Sequence, residues 1–538
     1  MAHSAQRRWY PLAAAIAALV LLPLSVLLLS WGEVDGEIWS HLWDTQMPRL
    51  LGNTLSLLLG VGFGVTLLGV SLAWLTTLCE FPGRKWLDWA LMLPFAIPAY
   101  VLAFVFVGLL DFAGPVQSLL REWFGSGLRL PRVRSTGGVI LVLVLVFYPY
   151  VYLLARTAFL AQGRGLMEAA RVLGLSPWQA FWKVALPVAR PAIGAGLALA
   201  LMETLADFGA VSVFNFDTFT TAIYKTWYGF YSLSSATQLA SLLLLAVMLL
   251  LWAERRSRGA SRPGNERARS APLYHLRGAR ALAASAWCGL VFACAFVVPL
   301  LQLLVWFWQR GRFDLDERYV GLILHTLYLG ALAALITVAL AMLLAFARRQ
   351  APTRRMQALV GLANLGYALP GSVLAVSIML AFSWLDRQLV IPLSASLGGA
   401  GKPLLLGSLG ALLLAYLIRF MAVAHGPLES SLGRIRPSLP EASRSLGVGG
   451  VALFRRIYLP LMVPGTLSAA LLVFVDVLKE MPATLLMRPF GWDTLSVRVF
   501  EMTSEGEWAR AALPALTLVL VGLLPVIGLI RRSARRYG

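Results

Sequence analysis

Twelve long apolar runs constrain this 538-residue chain more than any other feature. They lie near 11–31, 53–78, 88–110, 138–160, 191–213 and 236–252, and again near 283–308, 321–346, 360–385, 404–425, 461–486 and 511–530. A helix of about 20 apolar residues crosses the hydrocarbon of a bilayer. A spanning segment must also satisfy its own backbone, so runs of this length predict helices. The fold class expected is therefore all-α, a polytopic membrane protein with about 12 transmembrane helices. Composition agrees, with 59% hydrophobic and 13% charged residues, where a soluble domain has roughly 25% charged. A secreted disulfide scaffold, a disordered chain and a soluble enzyme are excluded. Three cysteines make no framework, and Cys288 and Cys294 read as small core residues. The first run follows Arg7 and Arg8, lacks a small-x-small cleavage site, and reads as a retained signal-anchor helix.

A net charge of +20 would point to nucleic acid in a soluble chain. Here the placement of charge matters more. Putting both termini and the even-numbered loops in the cytoplasm collects about two-thirds of the 46 Lys and Arg there, and leaves most acids on the other side. The positive-inside rule then makes both termini cytoplasmic. The third loop is an exception, with Arg121, Arg129, Arg132 and Arg134 facing outward. Residues 254–282, rich in Arg and holding Pro263 and Pro272, read as a basic cytosolic linker suited to anionic lipid headgroups. No nucleic-acid partner is expected.

The two sides of that linker repeat. EAARVLGLSPWQAFWKVALPVARPAI (Glu168–Ile193) matches EASRSLGVGGVALFRRIYLPLMVPGTL (Glu441–Leu467), pairing Glu168 with Glu441, Gly174 with Gly447 and Pro187 with Pro460. Upstream, Pro98-Ala99-Tyr100 faces Pro370-Gly371-Ser372; downstream, Asp217-Thr218 faces Asp493-Thr494. Residues 1–253 and 283–538 are thus expected to be two six-helix repeats, parallel because six is even. Each matched segment reads as a short helix, a left-handed glycine turn and a second helix. The first helix (Glu168–Leu173) is stopped by Gly174, and the second begins with Ser176 as N-cap and Pro177 behind it. An amphipathic object of this shape outside the lipid suits a groove on another protein.

The pattern Glu-Ala-Ala-x(3)-Gly with a downstream Leu-Pro resembles the cytosolic signature loop of ABC-importer permeases. More narrowly, the chain is similar to the ferric-iron type, in which two permease units are fused; Glu203–Val211, Phe216–Tyr228 and Leu478–Glu501 carry that likeness. The second copy departs mildly, reading Glu441-Ala442-Ser443 with Val-Gly-Gly after its glycine. The resemblance implies signature loops at about 161–190 and 434–463, with Glu168, Ala169, Gly174, Glu441, Ala442 and Gly447 coupling to an ATPase. It implies an ATP-binding subunit homodimer on the cytosolic face, a periplasmic iron-binding protein on the outer face, and a location in the bacterial inner membrane. The chain itself should hold no cofactor, since ATP and Mg belong to the partner. Its nearest look-alike of a phosphate loop, Gly398-Gly399-Ala400-Gly401-Lys402-Pro403, has proline in place of the hydroxyl residue. The five His residues have no zinc spacing, and no catalytic arrangement stands out.

Acids inside membrane helices are functional candidates by default. Glu203 and Asp207 in span five, and Asp476 and Glu480 in span eleven, are each spaced i, i+4 and expected on one helix face. Glu203, about 13 residues into its run, falls past the midplane on the outer side. Four such carboxylates could serve as transient ligands of a hard cation such as ferric iron. The alternative is that they pair with Lys479, Arg488 or Lys225 and brace the fold. Tyr148, Tyr150 and Tyr152 read as a helix interface or aromatic belt. An importer of thiamine, a polyamine or a phosphonate shares the architecture, while an ion-driven secondary transporter or a channel would not need the doubled loop. For topology, a cysteine at Gly264 should be shielded from impermeant thiol reagents outside intact cells and one at Ser396 labelled; the reverse labelling inverts the orientation.

Overall fold

The computed structural model describes residues 9–125, 131–257, 274–397, 402–436, 438–448 and 450–537. Most of the basic linker and the Gly398–Gly401 part of the phosphate-loop look-alike lie outside them. Among the described residues twelve helices are long and apolar enough to cross a membrane. They are α1 (Trp9–Leu29), α2 (Met47–Leu78), α3 (Ala99–Phe124), α4 (Thr136–Val172), α5 (Pro177–Ala206) and α6 (Leu233–Ser257). The second set is α7 (Ala279–Gln309), α8 (Glu317–Gln350), α9 (Gly371–Ser396), α10 (Leu409–Gly433), α11 (Phe454–Lys479) and α12 (Trp508–Tyr537).

Two spans start later than their apolar runs suggest. In place of one helix from 88, the chain makes a short helix (Arg84–Ala90), a 3-10 turn (Leu93–Ala96) and an extended Pro98 before α3. The second repeat does the same with Arg354–Ala363, Leu365–Ala368 and Pro370 before α9. Proline removes a backbone donor and biases the residue before it out of the helix, so Pro98 and Pro370 delay both starts.

The chain divides into two compact units that do not follow the repeat boundary. One comprises Met1–Trp39, Ile223–Leu244 and Asp316–Val497; the other comprises Ser40–Ala222, Leu245–Leu315 and Arg498–Gly538. Each holds four successive helices of one repeat and the first helix of the other. In the first unit α1 packs on α9 and the Arg354–Ala363 helix, burying the stripe Ala13, Ile16, Ala17 and Val20 at i, i+3, i+4, i+7. Trp9 meets Phe346 edge-on at 5.2 Å. In the second unit α7 packs on α12 and α3, with Phe292 edge-on to Trp86 at 5.0 Å.

A charged brace ties neighbouring segments together in each unit. In the second unit Arg156 forks onto Asp88, with Nε–Oδ1 and Nη2–Oδ2 both 2.6 Å. Tyr152 and Tyr148, fully buried at this interface, donate to the carbonyls of Asp88 and Leu91 at 2.8 and 2.9 Å. Two short strands, β1 (Cys79–Glu80) and β2 (Tyr274–His275), pair in parallel nearby, so the far end of the linker is anchored. Burial pushes the Cys79 thiol up to about 12, leaving it unreactive. In the first unit Arg348 pairs with Glu429 at 2.5 Å, and Arg349 donates to the carbonyls of Leu432 and Ile435, both at 2.7 Å. Arg156 and Glu429 occupy matched positions of the repeat but carry opposite charges, and their partners Asp88 and Arg348 come from unmatched positions.

Candidate functional site

Both signature segments contain the expected turn. Gly174 has φ +79° and Gly447 has φ +78°, a backbone that only glycine and, at some cost, Asn adopt readily. Two nested hydrogen bonds close the first turn, Gly174 N–H to the Arg171 carbonyl at 2.9 Å and Leu175 N–H to the Ala170 carbonyl at 3.1 Å. The second copy repeats the wider bond, Val448 N–H to the Ser443 carbonyl at 3.0 Å. Behind the first turn Ser176 and Gln179 form a reciprocal capping box that starts α5.

One expectation needs correction. Glu168–Leu173 is not a separate short helix but the end of the 37-residue α4, continuous from the membrane to the glycine turn. In the second copy α10 stops at Gly433, and Glu441 and Ala442 sit on a distinct helix (Ser438–Ser445). Pro440 in that stretch has no counterpart in the first copy, where Met167 stands, and disfavours a helix continuous with α10. Glu168, Ala169, Glu441 and Ala442 are all exposed, and the turns present apolar side chains outside any span: Val172 is 88% exposed, Leu173 80% and Leu446 83%. Large apolar side chains in such a place mark a contact surface.

The acids are placed differently from the i, i+4 reading. Helix α5 ends at Ala206, and Asp207 turns extended (φ −66°, ψ 128°); α11 ends at Lys479, and Glu480 does the same (φ −69°, ψ 112°). Each pair is therefore split across a helix break rather than sharing a helix face. The break acids cap the short helices beyond them. Asp207 Oδ1 accepts from the Val211 N–H at 3.1 Å, and Glu480 Oε1 from the Ala483 N–H at 3.1 Å. Hydroxyls stitch the exposed carbonyls: the matched Thr220 and Ser496 donate to the carbonyls of Asp207 and Glu480 at 2.6 and 3.1 Å, and Thr484, with no counterpart in the first copy, donates to that of Glu480 at 2.7 Å. Thr220 and Ser496 were not singled out from the sequence, although the doubled Asp-Thr-x-Thr/Ser (217–220 and 493–496) was a visible signal.

The two breaks diverge in charge. Glu480 Oε2 lies 3.0 Å from Arg419 Nε, with both side chains largely buried, and Arg419 also donates to the Leu369 carbonyl at 2.9 Å. Its partner is thus Arg419, not Lys479, Arg488 or Lys225; Arg488 pairs with Asp493. Gly371 makes room, since a Cβ there would collide with Glu480 Oε1. The first repeat has Ala99 for Gly371, the shorter Asp207 for Glu480, and Val146-Phe147 for Arg419. Asp476 stays within α11, where its charge acts on Lys479, and Glu203 and Asp207 act on each other. Among the described residues no three His, Cys, Asp or Glu side chains are grouped to hold a metal ion.

Residues 64–255 match the family described as binding-protein-dependent transport system inner membrane component. The molybdenum transport system permease protein ModB of Escherichia coli is 30% identical over 172 residues, which cover 32% of this chain and 71% of that protein. The chain belongs to this family. Two relatives align along nearly all of the permease. The Fe(3+)-transport system permease protein FbpB 2 of Haemophilus influenzae is 28% identical over 90% of both chains. The ferric transport system permease protein FbpB of Actinobacillus pleuropneumoniae is 24% identical over 90% of this chain and 72% of its own. The permease is therefore a multi-pass inner membrane protein of binding-protein-dependent transport.

The buried pair makes a checkable claim. Arg419→Met strands a buried carboxylate and should destabilise the permease by about 3 kcal/mol, while Arg419→Met with Glu480→Leu should recover most of that. Thermal melts of the purified variants measure both.

Proposed function

We propose that this permease moves ferric iron inward, received from a periplasmic binding protein and driven by a separate ATP-binding homodimer docked on its two glycine-turn loops. The docking reading is carried by the turns themselves: the same left-handed glycine closed by the same wide hydrogen bond, twice, beside exposed apolar side chains. The iron reading rests on the two relatives aligned along most of the chain, both named for ferric transport, whereas the molybdenum relative matches a third of it. It fits the acids, because a hard cation favours oxygen donors.

In this scheme closure of the ATPase dimer displaces the loops, and the helices carry the movement. Helix α4 reaches Gly174 without interruption and acts as a stiff rod. The second loop is attached through the Ser438–Ser445 helix, with Arg349 holding the end of α10. The displacement reaches the breaks at Asp207 and Glu480, where the backbone is held by side chains and can rearrange at low cost. Glu203 and Asp207, close enough to act on each other, are the transient ligand set in this scheme, while Glu480 is committed to Arg419. Both termini and the linker face the cytoplasm in this reading.

Two measurements test it. Nothing lies within 4 Å of a Cβ added at Gly174 or Gly447, so substitution there acts only through the backbone. Gly174→Val with Gly447→Val should abolish binding-protein-stimulated ATP hydrolysis, and the Asn pair, tolerant of the left-handed region, should keep most of it. For the cargo, Glu203→Gln with Asp207→Asn should cut iron uptake per assembled complex at least about tenfold while basal ATP hydrolysis survives. Unchanged uptake removes the acids from the path.

A further inference from the structure

A cavity of about 350 Å³ opens between α3, α7 and the start of α12, at the end of the second unit opposite the Gly174 turn. Its floor is aromatic. The Phe104 ring lies nearly parallel to those of Trp306 and Trp508, with centroids 6.0 and 6.3 Å away. Gly108, one turn along α3, lets Trp306 sit this close, since a Cβ there would come within 2.5 Å of the indole. Charges of both signs line the walls: Asp111, Glu507 and Arg310.

The neighbouring arginines are engaged elsewhere. Arg510 forks onto Asp314 at 2.9–3.1 Å, fixing the turn after α7 against α12. Arg312 stacks over Phe313 and Trp308 at 4.8 and 5.3 Å, and Arg121 over Phe112 at 4.2 Å. Arg310 is left as the guanidinium on the cavity wall. Around this rim Trp308, Phe313 and Leu315 are mostly exposed. The Pro115–Phe124 helix, whose first residue lines the cavity, likewise exposes Leu119, Trp123 and Phe124. A polar cavity inside a collar of exposed aromatics, at the end of a spanning bundle, sits where lipid headgroups meet acyl chains.

We propose that this cavity binds the headgroup of a zwitterionic phospholipid. Arg310 takes the phosphate, and the ammonium lies between Asp111, Glu507 and the faces of Trp306 and Trp508. Two acids against one base make the walls net negative, which favours a head carrying its own cation over a purely anionic one. The collar supplies the contact for the acyl chains.

Native mass spectrometry of the assembled transporter, incubated with equal amounts of phosphatidylethanolamine and phosphatidylglycerol, tests this. The wild type should retain the ethanolamine lipid preferentially. Arg310→Gln and Glu507→Gln should each lower its retention about tenfold, the effect of losing one charge-assisted contact, and Arg310→Lys should recover part of it. Should the variants fail to assemble, the wild type alone decides: the ethanolamine lipid should raise its melting temperature more than the glycerol lipid does. Equal retention or stabilisation by the two lipids overturns the proposal, as does Glu507→Gln without effect. Variants that keep the lipid but lose stimulation by the binding protein overturn it too, since the cavity would then be a protein-docking surface.

Discussion

In hydrocarbon no water is available to a stray backbone N–H or C=O, so every interruption of a spanning helix must be repaired by the protein itself. The rest of this structure depends on that constraint. The permease breaks a helix in each repeat, after Ala206 and after Lys479, and repairs each with an acid and a set of hydroxyls. Asp207 and Glu480 cap the next stretch of backbone, and Thr220, Thr484 and Ser496 donate to the carbonyls that the break exposes. The acids therefore have a structural task before any role toward cargo. A break held by side chains is also the part of a membrane bundle that can rearrange without breaking a helix elsewhere.

The repeats share this plan and diverge in its charges. A larger acid in the second copy needs space and a counter-ion; Gly371 gives the first and Arg419 the second. The first copy, with Ala99 and Asp207, builds the smaller version and leaves Glu203 and Asp207 acting on one another. The charges also differ at another matched position, where Arg156 pairs with Asp88 in one unit and Glu429 pairs with Arg348 in the other.

The sequence by itself determined the helical class, the count of twelve spans and the two left-handed glycine turns. These follow from hydropathy over about 20 residues and from backbone sterics at single positions, both of them local properties. The same locality explains the late starts of α3 and α9, where an apolar run continues through Pro98 and Pro370 into segments that are buried without being part of the span. Only the tertiary structure decided that α1 packs with α8–α11 and α7 with α2–α5. Lipid-facing and protein-facing stripes are equally apolar, so the sequence cannot say which helix a face will meet. It also decided that Glu480 pairs with Arg419, far away along the chain, and not with the adjacent Lys479. The break turns the Glu480 side chain away from the face that helical spacing assigned to it, and a buried charge goes to whichever partner the packing brings within reach.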